Sequence, residues 1–186
     1  MTLTLSPPLH SKDPRALLVR PDPSNPCRAT IQWGDKTFPC ALGKGGITTK
    51  KREGDGATPV GYFEILDVYY RADRVTMPET ALRHEPLSPN DGWCDDTELE
   101  NYNRPVKLPF DGSHEKMWRE DNLYDIVVVL NCNMFPANRG DGSAIFFHLA
   151  KEGFQATLGC VAVELETMKF LLKELRAGDS LQVAQS

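Results

Sequence analysis

Helical periodicity is confined to one segment of this chain, and that confinement limits the fold more than any other feature. Within Leu165–Arg176, the residues Met168, Leu171, Leu172 and Leu175 recur at the spacing of one helix face. Elsewhere, 14 glycines and 14 prolines interrupt the sequence before a second long helix could form. The sequence therefore predicts a mainly β fold with one packing α-helix near the C-terminus.

Short apolar segments provide the strands of this fold. Tyr124–Leu130 is almost continuously apolar, which is typical of a strand buried on both faces. Residues 72–123 hold few periodic apolar segments, so we expect a long inserted loop or lid with a short helix at Glu115–Arg119. We predict a single domain over residues 1–186, with its core at about 28–183. The other predicted strands are Ala16–Arg20, Arg28–Trp33, Lys36–Leu42, Gly61–Tyr70, Ala144–Leu149, Cys160–Val163 and Ser180–Val183.

The charge balance and the apolar segments limit the partners and the location. The formal net charge is −5, whereas nucleic acids and anionic membranes both favour a basic surface. No run approaches the roughly 18 apolar residues that a membrane span needs, and the first thirty residues lack the pattern of a signal peptide. We therefore expect a cytoplasmic protein that binds neither nucleic acid nor membrane.

Metal and cofactor sites are not indicated by the sequence. The five cysteines include no C-x-x-C pair, and no two histidines lie at ligand spacing. The glycine-rich segments at 43–46 and 54–56 match no phosphate-binding pattern. We expect no metal and no cofactor, so a functional cysteine must be identified by its neighbours.

One cysteine has a histidine at a favourable spacing. If the strands around His148 and Cys160 form an antiparallel hairpin centred on Phe154, the two residues lie directly opposite each other on one face. An imidazole beside a thiol should raise the fraction of thiolate, which is the nucleophilic form. Gly159 would leave the sulfur uncrowded and let nearby backbone N–H groups face a developing oxyanion. The pattern predicts a cysteine-nucleophile acyl-transfer site.

Several short motifs follow one another over roughly residues 28–183. They are Gly43-Lys44-Gly45-Gly46, Thr58-Pro59-Val60-Gly61-Tyr62-Phe63, Gly92–Asp96, Tyr102–Pro105, His148 and Thr157-Leu158-Gly159-Cys160. This ordered set resembles the L,D-transpeptidase catalytic domain, also called the YkuD domain, and in particular the short, single-domain members of that family.

The resemblance implies a β-sandwich-like fold and an activity on peptidoglycan stem peptides or muropeptides. Cys160 would attack the bond between the L-centre of the position-three diamino acid and the terminal D-alanine of a tetrapeptide. His148 would act as the base, and the backbone around Gly159 as the oxyanion donor. The acyl group would pass to water or to an amine, and carbapenem-type inhibitors are expected to react with Cys160.

Two departures from the family pattern concern the acceptor. The family commonly has a histidine where this chain has Leu158, and an arginine where it has Ala162. We favour an L,D-carboxypeptidase that acts in muropeptide recycling, since a cytoplasmic enzyme meets soluble fragments rather than assembled wall. The alternatives are an L,D-transpeptidase that forms crosslinks, a non-catalytic peptidoglycan-peptide-binding module, and an unrelated thiol hydrolase.

Residues of the insertion and of neighbouring loops are the predicted substrate contacts. Arg104 could form a two-pronged hydrogen bond with a substrate carboxylate, because its guanidinium is planar and permanently charged. The alternative is a small second core beneath the long loop. The predicted substrate-binding set is Trp93, Asp95, Arg104, Asn133 and Thr157.

Overall fold

The computed structural model describes residues 15–185. The strands are β1 Ala16–Asp22, β2 Asn25–Trp33, β3 Lys36–Ala41, β4 Ile47–Thr48, β5 Thr58–Pro59, β6 Gly61–Tyr70, β7 His84–Pro86, β8 Asp91–Cys94, β9 Pro105–Lys107, β10 His114–Lys116, β11 Ile126–Leu130, β12 Phe146–Leu149, β13 Val161–Val163 and β14 Ser180–Val183. Most of them form one nine-stranded sheet with the order β11-β12-β13-β3-β2-β1-β14-β6-β7. Because β6 also pairs with β11, the sheet closes on itself and β7 extends from it. The helix α1 is Leu165–Glu174. The predicted mainly β fold with one helix near the C-terminus is confirmed.

Two hydrophobic cores lie on opposite faces of β11. Val128 belongs to the larger core, which packs α1 against the sheet, while Val127 and Val129 belong to a smaller core on the other face. All five residues of β11 are buried, as its continuous apolar sequence predicts. The smaller core lies beneath the insertion and includes Cys160, so it forms one wall of the candidate site.

The inserted segment is built of strands rather than a bare loop. β8 pairs with β9 and β10 in a separate three-stranded sheet. The predicted short helix at Glu115–Arg119 is wrong, because residues 114–116 form β10 and pair with β8. A helix of five residues gains little from its own hydrogen bonds, whereas an edge of an existing strand offers partners at once. Residues 1–14 and 186 of the predicted domain lie outside the described residues.

The predicted hairpin between the histidine and cysteine strands is also wrong. β12 and β13 run parallel, with His148 paired to Ala162 rather than to Cys160. The connecting residues 150–160 cross over, so that β13 enters the sheet between β12 and β3. Cys160 is two residues before Ala162 and keeps the same face as His148, because side chains alternate with a period of two in either strand direction. The shared face is therefore retained, although the direct opposition is not.

No helix within residues 15–185 has the length and apolar character needed to cross a membrane.

Candidate active site

The sulfur of Cys160 is held by two backbone groups of the segment that leads into β12. Its Sγ–H donates to the Ala144 carbonyl at 3.3 Å, and the Phe146 N–H donates to Sγ at 3.3 Å. The residue is only 7% exposed. The thiol is thus buried and held in one orientation by these two hydrogen bonds.

His148 is fixed in the tautomer that a general base requires. Its Nδ1 lies 2.8 Å from the Leu149 carbonyl, and since a carbonyl only accepts, Nδ1 must carry the proton. Nε2 is then the basic atom. The Tyr124 ring packs edge-on against the imidazole at 5.4 Å between centroids and restricts its rotation.

His148 and Cys160 line one cavity of about 580 Å³, and no hydrogen bond joins them within residues 15–185. Burial raises the pKa of the Cys160 thiol to about 12 and lowers the pKa of His148 to about 4. Both groups are therefore neutral near pH 7. The expectation of an enriched thiolate is not met, because desolvation penalises both charged forms.

The turn that carries the nucleophile is tightly packed. Gly159 has φ +133°, and a Cβ there would lie 2.9 Å from the Ala57 carbonyl oxygen. The Thr157 hydroxyl donates to the Cys160 carbonyl at 2.7 Å and accepts from the Gly159 N–H at 3.1 Å. Thr157 thus fixes both ends of the Gly-Cys step, and it also lines the cavity.

The insertion contributes two acidic side chains to the cavity lining. Glu115 and Asp95 both line the cavity. Burial raises the pKa of Glu115, and the nearby charge of Asp95 raises it further. The Arg119 guanidinium, which lies 2.6 Å from the Glu115 carboxylate, lowers it in part. Arg119 also donates to both carboxylate oxygens of Asp121. Asp95 Oδ1 is buried and has no hydrogen-bond partner among residues 15–185.

Cationic side chains line the same cavity. Lys51 is held by Asp55, and its charge favours the thiolate form of Cys160. Lys44 and Lys151 also contribute to the lining. The cavity therefore offers both signs of charge to a ligand, in addition to a nucleophile and a base.

Three predicted substrate-binding residues lie outside the cavity lining. The Arg104 guanidinium donates to the backbone carbonyls of Asn103 and Met134. Trp93 is fully buried, and the Asn133 amide donates to the carbonyls of Asn138 and Gly142. Each of these side chains holds a loop in the described structure, so a direct contact with substrate stays a prediction for them. The structure brings Asp95, Thr157, His148 and Cys160 together at the cavity.

Several residues at the site carry no recognisable signal in the sequence. Tyr124 and Ser143 line the cavity. The Glu53 carboxylate accepts hydrogen bonds from the Tyr102 hydroxyl at 2.5 Å and the Ser143 hydroxyl at 2.7 Å. Ser143 precedes Ala144 directly, so this contact stabilises the loop that holds the sulfur. These partners are far apart in the sequence, and no short motif links them.

No group of three or more His, Cys, Asp or Glu residues within residues 15–185 could hold a metal ion. His10, the remaining histidine, lies outside the described residues.

Comparison with known proteins adds a family match to this geometry. The family model of the L,D-transpeptidase catalytic domain, YkuD, matches residues 29–183. Among solved structures, the chain is similar to the crystal structure of Mycobacterium tuberculosis L,D-transpeptidase 1, at 13% sequence identity and a TM-score of 0.38. The match covers 91% of this chain and 62% of that one. No curated protein matches the sequence.

Proposed function

Because the chain belongs to the L,D-transpeptidase catalytic domain family, we propose that Cys160 cleaves the L,D-peptide bond of peptidoglycan tetrapeptides. The scissile bond joins the L-centre of the position-three diamino acid to the terminal D-alanine. The observation that carries the proposal is that a buried thiol and an imidazole with a free Nε2 line one cavity. The substrates are free stem peptides or muropeptides.

The neutral resting state determines the order of proton transfers. In the resting state the S–H group donates to the Ala144 carbonyl. As Sγ attacks the carbonyl carbon of the substrate, the thiol proton passes to Nε2 of His148. Burial holds the pKa of His148 at about 4, so the imidazolium is a strong acid and gives its proton to the leaving amine of D-alanine. A thioester to Cys160 remains. The Cys160 N–H would stabilise the oxyanion, because the Gly159 N–H already donates to the Thr157 hydroxyl.

We assign the second half of the reaction to water. Ala162 presents only a methyl group to the cavity, and the Leu158 side chain at its rim is 71% exposed. Neither offers a hydrogen bond or a charge to an incoming amine. Water at about 55 M competes well unless an amine is bound with a high effective molarity. The proposal is an L,D-carboxypeptidase that acts on muropeptides in the cytoplasm, in their recycling.

The charges of the cavity suggest how the substrate is held. A diamino acid bears a free ammonium on its side chain, and the Asp95 carboxylate in the cavity lining offers it an opposite charge. Lys44 and Lys151 are placed to meet carboxylates of the peptide. Thr157 orients the backbone that the scissile carbonyl approaches.

Mass spectrometry of the purified protein with a tetrapeptide muropeptide mixture tests this function. We expect tripeptide and free D-alanine in equal amounts, with no product from Cys160→Ala. A predominance of crosslinked dimer at high acceptor concentration would replace the carboxypeptidase with a transpeptidase. A carbapenem should add its mass to Cys160, whereas a non-catalytic peptide-binding module would bind tetrapeptide without product or adduct.

A further inference from the structure

The buried Asn103 side chain forms hydrogen bonds to three other segments of the chain. Its Oδ1 accepts from Trp93 Nε1 at 2.9 Å and from the Ala144 N–H at 3.1 Å. Its Nδ2 donates to the carbonyls of Cys132 at 3.0 Å and Asn133 at 2.7 Å. An amide offers two donor hydrogens and two acceptor lone pairs, so this side chain, only 2% exposed, uses its full capacity.

One of these four hydrogen bonds involves Ala144, which also binds the nucleophile. Ala144, whose N–H binds Asn103, also provides the carbonyl that accepts the Cys160 S–H. Two residues later, the Phe146 N–H donates to the same sulfur. Only one residue, Ala144, therefore separates Asn103 from the thiol, although Asn103 does not line the cavity.

Ala144 needs an external restraint to hold this conformation. Its φ is +50°, a left-handed value that costs a residue with a Cβ on the order of 1 kcal/mol or more. Without a partner for its N–H, the residue would relax to negative φ and turn its carbonyl away from Sγ. Asn103 itself has φ +57°, which asparagine tolerates better than most residues.

We propose that Asn103 is a positioning residue that fixes the backbone of Ala144, so that the Cys160 sulfur keeps the orientation needed for attack. The inserted segment then contributes more than a wall of the cavity, because it fixes the backbone that orients the thiol. The inference rests on the proposed role of Cys160 as the nucleophile, but it does not depend on which peptide is cleaved.

The test compares three variants by kcat, KM, melting temperature and the pH profile of Cys160 alkylation by iodoacetamide. Asn103→Gly tolerates positive φ and removes all four bonds. Asn103→Asp keeps an acceptor for the Ala144 N–H but loses the amide donors. Val128→Ala lowers stability from the opposite face of β11, away from the site, and controls for general destabilisation.

We expect Asn103→Gly to lower kcat about 100-fold with little change in KM, since a small misplacement of a reacting group has an effect of that order. Its alkylation profile should move to higher pH, because the Phe146 N–H no longer stabilises the thiolate. Asn103→Asp should recover about tenfold of the lost kcat by restoring the bond to Ala144. Val128→Ala should keep both the kcat and the profile of the native enzyme.

Two outcomes would overturn the proposal. One is that Asn103→Gly, compared with Val128→Ala at matched melting temperature, keeps its kcat and alkylation profile. The other, which applies even if Asn103→Gly does not fold, is a folded Asn103→Asp protein with a loss of kcat as large as 100-fold. If tetrapeptide is not cleaved at all, the proposed function fails, and the alkylation profile still decides the role of Asn103.

Discussion

At the scale of single residues, burial disfavours the charged forms of both reactive groups of the site. The Cys160 thiol and the His148 imidazole are both buried, and desolvation disfavours the thiolate and the imidazolium alike. A neutral thiol that donates to the Ala144 carbonyl is a weak nucleophile towards other electrophiles. Reactivity then depends on a substrate whose carbonyl draws the proton transfer to His148 forward.

The alkylation rate of Cys160 measures this resting state. We expect its pH profile to rise only above the ordinary thiol pKa of about 8.5, because burial raises the pKa of Cys160. Iodoacetamide labelling followed by peptide mass spectrometry gives this rate for each cysteine separately. Cys27 is partly exposed, whereas the other four cysteines within residues 15–185 are buried. It therefore serves as the internal reference. A Cys160 profile that rises below that of Cys27 would show a preformed thiolate–imidazolium pair.

The place of Asp95 in the cavity lining leads to a prediction on substrate choice. Asp95→Asn removes a charge without changing shape, so KM for a tetrapeptide with a free side-chain ammonium should rise about tenfold, as expected for the loss of one charge-assisted hydrogen bond. The same peptide with that amine acetylated is the control. It should bind the native enzyme and Asp95→Asn equally weakly. An equal loss of affinity for both peptides in the variant would show that Asp95 does not contact the ammonium.

At the scale of elements, local patterns predict strands and the helix well but not how strands pair. The helix α1 and the strands β1, β6, β11 and β14 follow from apolar periodicity and turn residues within a few positions. The parallel pairing of β12 and β13 depends on β3, more than a hundred residues earlier, which β13 joins on its other side. The sequence of the connecting residues 150–160 and the length of that connection therefore do not show whether β12 and β13 run parallel or antiparallel.

The residues of the candidate site also differ in whether a local pattern in the sequence can predict them. Cys160, His148 and Gly159 can be identified from short motifs, because the chemistry needs those residue types close to one strand end. Tyr124 and Glu115 cannot, since their roles arise from contacts between the insertion and the sheet. Asn103 belongs to the Tyr102–Pro105 motif, but its role depends on a contact with the distant residue Ala144. The chemistry of the Arg104 side chain predicts a contact with substrate, whereas in the fold its guanidinium donates to backbone carbonyls.

The close packing of Gly159 in the turn before β13 leads to a prediction on stability. Gly159→Ala should unfold or strongly destabilise the protein and abolish turnover, because the new Cβ would lie 2.9 Å from the Ala57 oxygen and 3.0 Å from Ile145 Cδ1. Gly140→Ala is the matched control, since Gly140 also has positive φ but has no atom within 4 Å of the added Cβ. We expect that control to lose only about 1 kcal/mol in the free energy of unfolding. Equal losses in calorimetry would contradict the role of close packing.

At the scale of the whole molecule, the site adds a dependence on pH to the stability of the fold. The closed sheet and the insertion together bury His148 as a neutral group, with its pKa lowered to about 4 from an ordinary value of 6.5. The unfolded chain therefore binds a proton between these two values that the folded protein does not. The stabilisation by neutral His148 is fully present above pH 6.5 and is lost as the pH falls towards 4.

Chemical denaturation at pH 7 and pH 5 measures this dependence for the native protein and for His148→Gln. From the two pKa values, the native protein should lose about 2 kcal/mol of its free energy of unfolding through His148 over this interval. His148→Gln lacks the titrating group but keeps an N–H that can donate to the Leu149 carbonyl, so its loss over the same interval should be smaller by that amount. Carboxylates whose pKa is lowered, such as Asp121, lose their contribution mainly below pH 4 and are present in both proteins. The comparison of the two pH dependences therefore isolates the imidazole, whatever the absolute stability of the variant. Parallel pH dependences in the two proteins would mean that His148 is solvated enough to be protonated in the fold, and the neutral resting state inferred for the site would have to be abandoned.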